Sequence, residues 1–166
     1  MQLKDYLTGE MENVQRMLGL ALEDLDDEVA NWQPGGTANS IASILAHVTE
    51  TQDRSINVRL LGGETVFESG GWAAKTGIPT DPEKIWDTTW RLNLDAFAEY
   101  KAALAESTGR FMDALQESDL DREIQYSQGP RPAAWLLRNI VFHHSLYHSG
   151  EIFTLKGLKG LKGLPF

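Results

Sequence analysis

Apolar residues return every three or four positions along most of this chain, and that period commits it to helices. Leu3, Tyr6, Leu7, Met11, Val14, Met17, Leu18, Ala21 and Leu25 fall on one face of a single amphipathic helix that ends near Asp24–Asp27. Trp32, Pro34, Gly35 and Gly36 break the pattern. Asn39 or Ser40 is placed to cap a second helix, with Ile44, His47, Thr51, Ser55 and Val58 inward, and Gly62 and Gly63 stop it. Residues 62–80 show no period and predict a long connection, a feature that is often functional inside a compact domain. Asp81, Pro82 and Glu83 signal a helix start. The stripe Trp86, Trp90, Asn93, Phe97, Tyr100, Leu104, Phe111 and Leu115 predicts a third helix, with Gly109 as a point where it can bend. A fourth follows Gly129, Pro130 and Pro132 and runs through Trp135, Ile140, His144, His148 and Leu155. Leu-Lys-Gly then repeats three times from Leu155 to Gly163, followed by Leu164, Pro165 and Phe166. Glycine at every third place works against a helix, so this tail is expected to dock or fray.

These segments predict one all-α domain over residues 1–166, a four-helix bundle with a long crossover between helices 2 and 3. At full extension that crossover spans roughly 60 Å, enough to return along a helix. Helix 3 is then expected parallel to helix 2, and helix 4 antiparallel to it. DLDDEV at Asp24–Val29 echoes DLDREI at Asp119–Ile124, which suits two helical hairpins joined by the crossover.

Composition removes several functions. The chain has no cysteine, which excludes disulfides, thiolate ligands and a cysteine nucleophile; any thiol chemistry has to use a thiol from outside. A net charge of −9 and the lack of a basic stripe argue against nucleic acid as a partner. No apolar run approaches membrane-spanning length, and the opening MQLKDYLTGEMENV lacks the apolar core of a signal peptide, so the expected compartment is the cytoplasm.

Three of the four histidines fall where a metal site wants them. His144 and His148 are i and i+4, one turn apart on one helical face. That spacing lets two imidazoles converge on one ion at roughly 2.0–2.1 Å. His47 lies on the inner stripe of helix 2, roughly 12 Å from its start, and His148 lies roughly 12 Å from the end of helix 4. In antiparallel helices these positions share a level. Three neutral imidazoles suit zinc, nickel, iron or copper and leave coordination positions open, which leans toward catalysis over a closed structural site. The plain alternative is a set of core histidines bonded to backbone or carboxylate. His143 sits about 100° off the shared face; it either pairs with Tyr147 or replaces His144 as a ligand.

Trp32 and Pro34, Ser40-Ile41 and Ile44-Leu45 leading to His47, and later His144-Ser-Leu-Tyr147-His148-Ser-Gly150-Glu151 together resemble the DinB/YfiT-like metal-binding bundle superfamily. The resemblance covers nearly the whole chain, including the long connection. It implies up-down-down-up topology, frequent dimerisation, and a divalent metal, commonly nickel or zinc, held by one histidine from helix 2 and two from helix 4. Those roles carry over to His47, His144 and His148. Several members resemble thiol-dependent transferases or isomerases that use a low-molecular-weight thiol such as mycothiol or bacillithiol.

Glu151 follows His148 by three residues and is expected to orient a ligand histidine, to act as a general base, or to be a solvated helix-end carboxylate. Glu50 and Asp53 are worse placed on helix 2 and are expected at the surface. Trp72 is expected either to wall a substrate pocket or to anchor the crossover. Trp86, Trp90 and Trp135 are expected in the core or a dimer interface, and Trp32 at a hairpin corner. The reading is a metal-dependent enzyme, a thiol S-transferase acting on small electrophiles or a related hydrolase, with a small-molecule substrate and a homodimeric state. The alternatives are a metal- or ligand-binding dimeric bundle without turnover, and a purely structural bundle.

Overall fold

A computed structural model of the chain describes residues 3–164, so Pro165 and Phe166 of the tail lie outside the described residues. Helix α1 spans Leu3–Leu22 and buries Met11, Val14, Leu18 and Ala21 from the stripe that predicted it. A short helix α2, Asp27–Ala30, follows; Asp26 caps it by accepting from the Val29 amide at 2.8 Å. Helix α3 spans Ile41–Asp53, with Ser40 as its cap, and continues unbroken as a π-helical segment over Arg54–Leu60. Gly62, at φ 72°, ends this rod.

The crossover is longer and more structured than the glycine content suggested. It carries α4 (Val66–Ser69), α5 (Trp72–Thr76) and a 3-10 turn over Pro82–Trp86. The start signal at Asp81 is used: its carboxylate accepts from the Glu83 amide, and Pro82 opens the turn. One turn later the chain meets Asp87, Thr88 and Thr89, all poor helix formers, and the helix stops. The third long helix, α6, therefore begins at Leu94 and runs to Ala114, straight through Gly109. Asn93 is its cap. Asn31 holds the extended approach to it, exchanging two hydrogen bonds with the Leu92 backbone at 2.9 and 2.7 Å. Trp86 and Trp90 thus leave the stripe of the third helix, where periodicity had placed them.

After α6, a 3-10 turn at Glu117–Asp121 leads into a two-residue antiparallel ladder of β1 (Glu123–Ile124) and β2 (Arg131–Pro132). The echo between DLDDEV and DLDREI does not carry into structure: the first copy caps a helix, the second enters a strand. The last rod is α7 (Ala133–Leu136), a π-helical segment over Leu137–His143, and α8 (His144–Leu158). It takes in the first Leu-Lys-Gly, contrary to the expectation for the tail. Lys156 explains this, because its ammonium donates to the Leu20 and Glu23 carbonyls at 3.2 and 2.6 Å, satisfying the open end of α1. Gly160, at φ 79°, then closes α8 with Gly160 N bonding Gly157 O and Leu161 N bonding Lys156 O, a Schellman motif.

Hydrogen bonds between rods fix their neighbours. Lys4 near the start of α1 donates to the Asp113 carbonyl near the end of α6. Asp53 meets Tyr100 and Asn57 meets Ser107, so contacts advance in the same direction along α3 and α6. Val14, Ile41, Ile44, Ile56, Phe97, Tyr100, Leu136, Leu137 and Ile152 form one continuous core between the rods. No helix among the described residues is long and apolar enough to cross a membrane.

Asp53 requires a correction. It is fully buried, not at the surface. It accepts from the Val66 and Phe67 amides at 2.9 Å each, from the Tyr100 hydroxyl at 2.8 Å and from Asn57 at 2.9 Å. Its carboxylate thereby caps α4 from across the bundle. The crossover covers a face of α3 that a helix-only reading leaves to solvent.

Candidate metal centre

Helix α3 and helix α8 bring His47, His144 and His148 together, with one ring nitrogen from each lying within 4.8 Å of the others. His47 Nε2 and His144 Nε2 are 2.9 Å apart. The rings stand edge to face, with centroids 4.5 to 5.2 Å apart. His143 is not part of the cluster; its ring faces Tyr147, with centroids 6.1 Å apart.

The donor set fits a divalent ion. Two ligands at about 2.0–2.1 Å from one ion, 90–110° apart, are separated by about 2.9–3.4 Å. The His47–His144 separation already satisfies this, and the widest separation closes with a ring movement of at most about 1.5 Å. Protonation fits as well. Burial, followed by the charge of His148, lowers the His47 pKa to about 4, with Glu151 pulling the other way. Burial, then His148 and His47, lowers His144 to about 4. Both rings are therefore neutral at pH 7 and offer lone pairs.

The surroundings set the tautomers. Glu151 Oε2 lies 2.8 Å from His148 Nδ1, which places the proton there and leaves Nε2 to face the cluster. Of the roles expected for Glu151, orientation of a histidine is the one its position serves. His144 Nδ1 is buried with no hydrogen-bond partner, the one such side-chain atom among the described residues. An ion on Nε2 of His144 requires the proton on Nδ1, where an unmet donor costs about 1–3 kcal/mol against the coordination gained.

Trp86 is the residue that sequence reasoning missed. Its ring lies 4.7 Å from that of His47, tilted by 49°, so the crossover places an exposed aromatic against one member of the cluster. The clue was available in Asp87, Thr88 and Thr89, which cut the helix after one turn and free Trp86 to turn toward α3. Trp72, by contrast, packs on Tyr100 at 5.9 Å with the Lys75 ammonium over its face, so it anchors the crossover away from the histidines. A cleft of about 170 Å³ opens beside the cluster, lined by His47, His144, Glu50, Arg54, Arg59 and Tyr126 among others.

The fold and the cluster define a class: an all-helical bundle with three convergent histidines between two of its long rods. The sequence pattern of the DinB superfamily matches residues 10–152, and the chain belongs to that superfamily. Its fold is similar to the crystal structure of the conserved protein of locus from Enterococcus faecalis. The TM-score is 0.79 at 18% identity, covering 96% of this chain and 99% of that one. No curated protein sequence matches the chain.

Proposed function

We propose that the chain binds one divalent ion, nickel or zinc, on His47, His144 and His148, and uses it to transfer a low-molecular-weight thiol to a small electrophile. The observation that carries this reading is the convergence of three ring nitrogens, two of them on rings held neutral, within one chain. A divalent ion there lowers the pKa of a bound thiol and so raises the share of nucleophilic thiolate. The reaction balances as RSH plus R′X giving RSR′ plus HX, with the S–C bond replacing the C–X bond and the thiol proton leaving with X. Because the chain has no cysteine, the sulfur comes from a co-substrate. Glu151 holds His148 in one tautomer, and Trp86 packs against the His47 ring.

The second reading is a metal-binding bundle without turnover. It is favoured by the engagement of both nearby carboxylates, Glu50 with Arg54 at 2.5 Å and Glu151 with His148, which leaves neither free as a base. Elemental mass spectrometry of untagged protein, beside the His144→Ala/His148→Ala double variant, tests the site. Near-stoichiometric nickel or zinc in the wild type, lost in the variant, is expected; a wild type that stays empty after reconstitution overturns both readings. Loss of N-acetylcysteine with 1-chloro-2,4-dinitrobenzene, faster with metal-loaded than with metal-stripped protein, then separates transfer from binding alone.

A further inference from the structure

Two arginines line the cleft beside the cluster, Arg54 and Arg59, and of these Arg59 is the one without a carboxylate partner among the described residues. Arg54 is paired with Glu50, and Arg122 donates to the Leu60 carbonyl. Arg59 makes only a long hydrogen bond to Ser55 Oγ, at 3.4 Å, and lies over the Tyr126 ring at 5.5 Å. Arg59 is half-buried and lines the cleft that His47 and His144 also line.

Backbone geometry puts it there. Arg54 and Arg59 are five residues apart, which in an α-helix sends side chains about 140° apart, at 100° per residue. Both lie in the π-helical segment Arg54–Leu60, whose i to i+5 hydrogen bonds stack such residues on one side. The facing rod is also π-helical over Leu137–His143, supplies Ile140 to the cleft and delivers His144 at its end. Two π-helical segments thus meet at the cleft, and such segments concentrate at functional sites.

The electrostatics are local. A chain of net charge −9 repels small anions in general. In the cleft, two guanidinium groups face one carboxylate, and the neutral histidines do not alter that balance. Tyr126 lies against Arg59 in a cation–π contact, and Nη1 spends only a long bond on Ser55, so the fork that grips a carboxylate through two parallel bonds is committed to no acidic partner among the described residues. A cavity of about 150 Å³ holds a benzene-sized molecule, so a cleft of about 170 Å³ takes a ligand of about six non-hydrogen atoms.

We propose that this cleft is a carboxylate subsite, with Arg59 as the counter-ion of a short-chain acid whose other end points to the histidine cluster. The proposal deepens the thiol-transfer reading and rests on it for the role of the far end, while the carboxylate contact stands on Arg59 alone. The ligand class is a two- to three-carbon carboxylic acid bearing a thiol.

The test is calorimetric titration of 3-mercaptopropionate, with propane-1-thiol as its neutral counterpart, into zinc-loaded and metal-stripped protein. Arg59→Gln is expected to weaken 3-mercaptopropionate about tenfold or more and to leave propane-1-thiol unchanged. Arg59→Lys, which keeps the charge but loses the fork, is expected to fall between them. That shift in acid-to-neutral preference separates ligand contact from a structural role, which moves both ligands together. Equal affinity for the acid in wild type and both variants, or no binding of it in either metal state, overturns the subsite. Failure of the metal reading looks different: zinc then changes nothing, yet Arg59→Gln still weakens the acid.

Discussion

His47 and His144 each sit in surroundings that resist a positive charge, and this gives the metal-free protein a defined response to acid. Both rings titrate near 4 in the folded chain and near 6.5 when exposed on unfolding. Below pH 6.5 the unfolded state therefore binds more protons, and stability falls as pH drops from about 6.5 to about 4. Above that window their contribution is constant. The rings retain some solvent access, so the loss for the pair is on the order of 3 kcal/mol after allowing for screening. Urea midpoints of metal-stripped protein near pH 7 and near pH 4 measure it. Carboxylates titrate in the same range, so His144→Gln is the control: it is expected to remove a third to a half of the drop. A variant with the same pH dependence as wild type would sink the account. At this scale the histidine cluster was legible, because helix pitch fixes the i, i+4 pair and, once the two rods run antiparallel, brings the inward His47 to the same level. Trp86 was not, since its spacing continues the apolar stripe of the third helix and hides the break that Asp87, Thr88 and Thr89 make.

The crossover shows how an element of mostly short turns is held in place. Asp53 meets the free amides of Val66 and Phe67 at the start of α4 and the hydroxyl of Tyr100 on α6, so one carboxylate ties three elements. Burial and then the charge of Asp53 push the Tyr100 hydroxyl well above its usual pKa, keeping it a donor. Asp53→Asn removes the charge and turns an amide N–H₂ toward donors that need an acceptor. It is expected to cost roughly 3 kcal/mol in chemical denaturation. It is also expected to speed hydrogen exchange at the Val66 and Phe67 amides before exchange in α1 or α8 changes. Unaltered stability with native exchange at those two amides would show that the clamp is dispensable. None of this was readable from periodicity. Helical spacing says which face of α3 turns toward helix 4, but a second buried face exists only once the crossover lies over it. The π-helical segments escape for a related reason: a pattern counted at 3.6 residues per turn cannot report where the backbone widens by one residue.

Across the whole molecule, the three histidines join rods that are distant in sequence, α3 and α8, while Lys156 ties the end of α8 to the open end of α1. The four rods, their approximate ends and the long crossover followed from stripes of apolar residues, since burying one face of each rod has few solutions in a chain of this size. The start of α6 did not, because the apolar stripe runs on through the break that Asp87, Thr88 and Thr89 make, and the helical turn within the Leu-Lys-Gly tail did not, because Lys156 finds its partners far along the chain in α1. An ion shared by α3 and α8 binds only when both rods are in register, so it stabilises the folded state by linkage. At a free metal concentration of about one hundred times Kd the gain is about 2.7 kcal/mol. For a domain of 166 residues this raises Tm by about 5–10 °C. Differential scanning calorimetry with zinc chloride, then with excess chelator, is expected to show the rise and its reversal. His47→Ala/His144→Ala/His148→Ala is expected to show neither, because no other convergent set of metal-ligating side chains lies among the described residues. A Tm indifferent to zinc, or an equal rise in the triple variant, would mean that the rods are joined by packing alone and that the histidines belong to the core.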